Sequence, residues 1–483
     1  MRRVLLQIAW FLWPPKVGTV LAYMLQSTEY EPRPFLKWFW RTNDFSRVMY
    51  RRTLERTRVG RLIQRVAVVG ITAQMLLGVS MVYVGITRDE VGLPWFGLAL
   101  AASASVVWAH LLAALIWLGR LCILRPREAK QAHEVMTRLQ AHPGVRIAIA
   151  GSYGKTTMKE LLRIVLAEGK KVAATPANMN VVSSHARFVR SLNGDEEIVL
   201  VEFGEGKPGD VQHFAQMIMP EYAVITGLAP AHLDQYKTLD QAGRDIFSLA
   251  SAVSRNKLFV NADSPETRSF THKEAETYSQ KRALGWRVRH AQTSLDGTHF
   301  ELVKGTRVLR LQSGLVGLYQ VGPLAFAAAF ALMLGLSEKQ VIAGIARTKP
   351  FEHRMQPYQL SGAWIIDDTY NGNIEGIRVG TELLASLDAK RKLYVTPGLV
   401  DQGKESASIH QKIGQYIAAA RPDVVVLMRN SATAHMQRGL TDAAYAGTVM
   451  VEDDPLAFYQ NLDSFVAAGD VVLMQNDWTD NYH

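Results

Sequence analysis

Residues 146–157 read Arg-Ile-Ala-Ile-Ala-Gly-Ser-Tyr-Gly-Lys-Thr-Thr. An apolar, strand-length run from Ile147 to Ala150 ends in a turn bracketed by Gly151 and Gly154. The turn opens onto Thr157-MKELLRIVLAEG, where apolar residues recur at helical spacing. A strand, a glycine turn and a helix start in this order aim loop and first-turn N–H groups at one point, where a phosphate-sized anion is stabilised. Lys155 then stands within reach of β/γ oxygens, and Thr156 offers a hydroxyl to Mg²⁺. The longer form of this loop has a glycine five places before Gly154. Ile149 stands there, so this is the short G-x-x-G-K-T-T form.

Outward from the loop the chain alternates short apolar runs with amphipathic segments. Arg146-IAIA, Lys171-VAAT, Glu197-IVLVEF and Tyr222-AVITG form one series. Ala363-WIIDD, Lys392-LYVTPG, Val424-VVLM, Thr448-VMVED and Val471-VLMQ form a second. Strands alternating with helices predict parallel sheets covered by helices, hence two α/β domains. Glu202 closes the run Ile198-VLVE and His232 follows Ile225-TGLAPA, so both fall where neighbouring strand ends approach the loop. A carboxylate and an imidazole beside a triphosphate suit metal coordination. Taken alone, Glu202 reads equally as a solvated strand end and His232 as a core histidine.

The first quarter of the 483-residue chain is different. Residues 1–130 carry 18 basic and 7 acidic side chains, net +11 of the total of +10, so the rest is close to neutral. Basicity confined to a zone beside apolar runs points to anionic lipid and away from nucleic acid. Val66–Thr87 has 22 residues without a charge, and Val91–Gly119 has 29 with only His110 titratable. At about 1.5 Å per residue each crosses an apolar layer of about 30 Å. The three-residue connector Arg88-Asp89-Glu90 makes them a transmembrane hairpin; the bland alternative is a buried soluble αα-hairpin.

Arginines 51, 52, 56, 58, 61 and 65 before the hairpin, and Arg120, Arg125, Arg127 and Lys130 after it, put both termini in the cytoplasm. Seven of the ten tryptophans lie in residues 1–117, as amphipathic rings do at a lipid interface. Val4–Trp13 is too short to span and is stopped by Pro14-Pro15, which makes it an interfacial or re-entrant stretch. The single cysteine, Cys122, excludes a disulfide framework and any cysteine-built metal cluster.

The loop GSYGKTT, the run TPANMN from Thr175, VEFGEGKPGD, APAHLDQY, FEHR, IIDDTYNGNIEG and TPGLVDQG with Ser406 and His410 stand in the order seen in Mur ligases. The chain resembles that family, and within it the MurF-like branch with N-terminal membrane segments, from about residue 145 to the C-terminus. The resemblance implies a membrane region at 1–129, a central ATP-binding domain at 130–352 and a Rossmann-like C-terminal domain at 353–483. It implies an ATP-dependent amide ligase working through an acyl phosphate on a peptide-bearing cell-wall precursor, UDP- or lipid-linked, at the cytoplasmic face of a bacterial membrane.

By the same resemblance Gly151, Gly154, Lys155, Thr156, Thr157 and Asn178 hold the nucleotide. Thr156 and Glu202 take one Mg²⁺ and His232 serves a second. Arg354 and Asp368 reach ATP from the C-terminal domain, with Asn371 and Asn373 near it. The asparagines read otherwise as turn-shaping residues.

Three departures stand against the family pattern. The lysine that many Mur ligases carbamylate as a metal ligand, four residues before the phenylalanine of K-x-x-[IL]-F, is Gly243 in GRDIF. The second metal would then need water or another carboxylate such as Asp245, or a lysine elsewhere such as Lys237. No counterpart of the soluble UDP-sugar-gripping N-terminal domain is present. The C-terminal K-G-S-R stretch is replaced by Gln475-NDWTDNY. Two other functions fit the same residues: a ligase with another acceptor, as in poly-γ-glutamate synthesis or amidation of a lipid-linked peptide, and a non-ligase ATPase or scaffold recruiting wall enzymes.

Overall fold

The computed structural model describes residues 13–28, 30–42, 45, 57–176, 180–230, 233–370, 372–400 and 402–476. The chain forms two compact units, one ending at Ala129 and one running from Lys130 to Thr479.

The first unit is helical. Pro14 and Pro15 begin helix α1 (Pro14–Ser27), and the stretch before Trp13, read from sequence as interfacial or re-entrant, lies outside the described residues. Proline suits a helix start because it lacks the N–H that a first helical turn leaves unbonded anyway. Helix α2 (Pro32–Arg41) buries Phe35, Trp38 and Phe39. Helix α3 (Arg58–Thr87) extends the first apolar run by a basic N-terminal part, capped where the Thr57 hydroxyl accepts from Gly60 N. The second apolar run is not one helix. It splits into α4 (Gly92–Ala102) and α5 (Ala104–Gly119) at Ser103. The Gln74 side-chain amide of α3 donates to Leu100 O at 2.9 Å and the Ser103 hydroxyl to the same oxygen at 3.1 Å, so side chains stabilise the bend. Close packing of α3 on α4 needs glycine. A Cβ on Gly78 would lie 2.5 Å from Gly97 O, and one on Gly85 would lie 2.4 Å from Pro94.

Many large apolar side chains of α3, α4 and α5 face outward. Leu76, Val79, Tyr83, Ile86, Trp95 and Phe96 each expose more than half of their surface. The two helices long and apolar enough to cross a membrane, Arg58–Thr87 and the run Ala104–Ala141 that α5 begins and a π-helical turn at Arg120–Leu124 continues, are only 22% and 17% buried over their apolar windows, whereas a soluble core helix buries most of its surface.

Helix α6 (Arg125–Ala141) begins in the first unit and, within the second, buries Val135 and Leu139; a sheet of ten strands follows. The strand order is β10-β9-β8-β7-β6-β5-β4-β1-β3-β2, with β1 Val145–Ala150, β2 Val172–Ala174, β3 Ile198–Glu202, β4 Tyr222–Ile225, β5 Leu258–Asn261 and β6 Glu276–Ser279 all parallel. The sequence reading named β1 to β4. It did not name the antiparallel end, β7 Arg282–Ala283, β8 Trp286–Ser294, β9 Gly297–Lys304 and β10 Arg307–Ser313. It also missed the buried helix Val321–Met333, which is apolar on every face and so has no amphipathic period to read.

A second sheet follows, in the order β11-β12-β16-β13-β14-β15. It comprises β11 Gln356–Leu360, β12 Ala363–Asp368, β13 Arg391–Thr396, β14 Val424–Met428, β15 Thr448–Glu452 and β16 Asp470–Gln475. Only the β11 pairing is antiparallel, and β12 to β16 are the five strands expected.

Candidate phosphate and metal site

Register builds the site. Strand β1 lies between β3 and β4, pairing Ile149 with Glu202 and Ala150 with Ile225, so the loop after β1 emerges beside Glu202 and Thr226. Ligands of open parallel sheets collect at this carboxyl edge. Two glycines allow the turn. Gly151, at φ 143°, would put a Cβ 2.4 Å from Thr226 Oγ1, and Gly154, at φ 75°, sits just before helix α7 (Lys155–Leu166). Ser152 N donates to Gly227 O at 2.9 Å, and the Thr226 hydroxyl donates to Tyr153 O, which fastens the loop to β4.

Thr156 Oγ1 donates to Glu202 Oε1 at 3.0 Å, so these two expected residues meet. Both supply hard oxygens, the donor set Mg²⁺ prefers, and residues of this kind fit one such ion. Behind them, Lys159 Nζ is fully buried 3.3 Å from Glu202 Oε2. His185 Nε2 donates to Glu202 O at 3.0 Å, and burial lowers the pKa of this imidazole to about 4, so it is neutral. Lys155 Nζ donates to Gly151 O and to Glu205 Oε1, both at 2.6 Å. Lys159, His185 and Glu205 were not picked out from sequence. Lys159 follows Lys155 by one helical turn and Glu205 follows Glu202 by three residues, but neither spacing alone marks a site.

The position of the family lysine is closed. A Cβ on Gly243 would lie 2.4 Å from the Phe270 ring, so no longer side chain fits without moving it. Asp245 is not available in its place. Its Oδ1 accepts from Gly209 N at 2.9 Å and its Oδ2 from the Tyr236 hydroxyl at 2.7 Å, which ties it to the turn before helix Asp210–Ile218. Lys237 is exposed at φ 64°. The described residues therefore do not supply the family's lysine-based second metal site. His232, Asn178 and Asn371 lie outside the described residues.

In the C-terminal domain, register sets Asp368 beside Gln475 at the ends of β12 and β16. Gln475 Nε2 donates to Asp368 Oδ2 at 2.8 Å and Met355 N to Oδ1 at 3.2 Å. Burial pushes the Asp368 carboxyl up to about 7 against these donors and the nearby Arg354 guanidinium. Arg354 lies 4.3 Å over the Tyr370 ring. Asn373 Oδ1 accepts from Gly376 N at 2.9 Å, capping helix Ile374–Ser386; its turn-shaping role is thus realised. His410 is buried, accepting from Leu399 N at 2.9 Å, and holds the loop after β13.

Comparison with known proteins agrees with this architecture. The family model for the Mur ligase middle domain matches residues 149–331, and that for the Mur ligase glutamate ligase domain matches residues 353–475. The chain is 28% identical over 382 residues to the UDP-N-acetylmuramoyl-tripeptide--D-alanyl-D-alanine ligase of Mycobacterium leprae, covering 72% of this chain and 74% of that one. It is 24% identical over 294 residues to the Escherichia coli protein of the same name, covering 59% and 65%. In fold it is similar to MurF from Acinetobacter baumannii, with a TM-score of 0.63 at 20% identity over 72% of this chain and 77% of that one. It is likewise similar to the MurF ligase from Thermotoga maritima in complex with ADP, with a TM-score of 0.62 at 22% identity over 72% and 80%. A phosphate loop at the carboxyl edge of a parallel sheet, a second α/β domain behind it and two family matches in series make the chain a member of the Mur ligase family, the ATP-dependent ligases that form carbon–nitrogen bonds.

Proposed function

We propose that the chain is a membrane-held, MurF-type ligase that joins D-alanyl-D-alanine to a UDP-N-acetylmuramoyl tripeptide at the cytoplasmic membrane face. Residues 1–129 form the membrane region, 130–352 the ATP-binding domain and 353–483 the second catalytic domain. The observation that carries the reading is the Thr156–Glu202 pair at 3.0 Å, set beside Lys155 at the start of α7. In this reaction a peptide carboxylate oxygen attacks the γ-phosphorus of ATP, giving an acyl phosphate and ADP. The amine of the incoming dipeptide then adds to the acyl carbon, loses a proton, and the carbon–oxygen bond to phosphate breaks.

The chain's part is to neutralise and align. Lys155 and the N–H groups of residues 155–157 hold phosphate oxygens. Thr156 and Glu202 would hold Mg²⁺, which when bound would offset phosphate charge. Arg354 and Asp368 act from the C-terminal domain. Roles for His232, Asn178 and Asn371 rest on the family resemblance alone.

Supporting membrane attachment are the outward apolar side chains of α3 to α5 and the basic flanks of the hairpin. Full-length protein in detergent, given ATP, Mg²⁺, the UDP-linked tripeptide and D-alanyl-D-alanine, should release phosphate only when both substrates are present. Release that ignores the dipeptide would overturn the ligase reading, and activity with a lipid-linked peptide alone would move the substrate. A reporter fused after His483 that works only outside the cell would overturn the topology.

A further inference from the structure

The Lys155 ammonium has three N–H donors, and two are committed, to Gly151 O and to Glu205 Oε1. The ion pair is enclosed, the Lys155 and Glu205 side chains being 11% and 6% exposed, so it is little screened by solvent. The backbone just before Glu205 is anchored. Phe203 N donates to Ile149 O at 2.9 Å and Gly204 N to Asn180 O at 3.1 Å. A Cβ on Gly204 would lie 2.6 Å from Asn180 O, so the residue before Glu205 is pressed against this neighbour. The other carboxylate of the site does not depend on Lys155, since Glu202 has Lys159 at 3.3 Å.

Phosphate oxygens of a nucleotide need the same ammonium that Glu205 engages. We propose that Glu205 is a positioning residue that competes with nucleotide phosphate for Lys155 and so sets nucleotide affinity. It stretches the lysine across the loop and surrenders it on binding; this rests on the ligase reading of the loop. Two effects have the same sign. The ion pair is given up when phosphate takes Lys155, and the released carboxylate then stands near added negative charge. Removing the charge at 205 therefore strengthens nucleotide binding, since only a difference between the two states shifts the equilibrium.

The test is equilibrium binding of ADP to full-length protein in detergent, by calorimetry, once in EDTA and once in Mg²⁺. Glu205→Gln should bind ADP at least about tenfold tighter than the parent in EDTA, as expected for a close, buried charge pair. In the Lys155→Ala background the same change should have a much smaller effect. Glu205→Ala serves as the second variant, with thermal melting to show that each protein is folded. Equal or weaker binding by folded Glu205→Gln would overturn the proposal, because a merely structural residue lowers affinity when altered. Weaker binding seen only in Mg²⁺ would also overturn it and make Glu205 a metal ligand. If the parent itself binds no ADP, the ligase reading of the loop fails, and the proposal with it.

Discussion

Lys155 and Gly243 show how far single residues decide the chemistry. Lys155 is the one side-chain cation within the loop 151–157, and its Nζ already spans the loop to Gly151 O. Lys155→Ala should lower ATP-dependent phosphate release by at least about 100-fold, the usual cost of one preorganised electrostatic contact. Full activity in that variant would mean the loop is misassigned. Gly243 packs against the Phe270 ring, so restoring a lysine there should cost stability, about 1–3 kcal/mol for an overpacked site, and should not make turnover depend on bicarbonate. Thermal melting and a turnover assay with CO₂ stripped and restored check the two halves. A Gly243→Lys protein that is as stable as the parent and gains bicarbonate dependence would show that the ring yields.

At the scale of elements, the turn that delivers β3 depends on one carboxylate. Glu196 accepts from Asn193 N at 2.8 Å, Gly194 N at 2.9 Å and His142 Nε2 at 3.0 Å. Burial alone would raise its pKa, but these donors outweigh it and hold the carboxyl at about 2. Because the folded value is depressed below the ordinary 4.5, its contribution is present above pH 4.5 and is lost as pH falls through about 2. Glu196→Gln should therefore cost roughly 2–3 kcal/mol at pH 7 and progressively less in acid. Denaturant unfolding at pH 7 and pH 3 measures the difference; an equal loss at both would show that charge is not the cause. In the helical unit, Gly78→Leu would thrust a side chain at Gly97 O and separate α3 from α4. The melting temperature in detergent should fall by several degrees, as for about 1–3 kcal/mol of overpacking.

For the whole molecule, every residue of the candidate site lies after residue 145, and the described residues from Lys130 onward form a compact unit with its own cores. A protein lacking residues 1–125 should bind ADP as the full chain does, within about twofold, while leaving the membrane fraction. Loss of binding in a truncated protein that still melts cooperatively would place part of the nucleotide site in the helical unit.

What the sequence determined by itself was local and periodic. The loop 151–157, the parallel strands around it and the five strands of the second sheet are all carried by runs whose spacing or glycine content is local. Tertiary structure decided what depends on neighbours far away in the chain. The break at Ser103 is supported by Gln74 of another helix, and Asp245 is engaged by Tyr236 and Gly209. Gly243 is closed by Phe270, and Lys155 is claimed by Glu205, 50 residues on. Contacts of this kind follow from strand register and close packing, which no local pattern encodes. A motif could name Lys155, Thr156 and Glu202, but only the fold brought Glu202 to the Thr156 hydroxyl and Glu205 to the lysine.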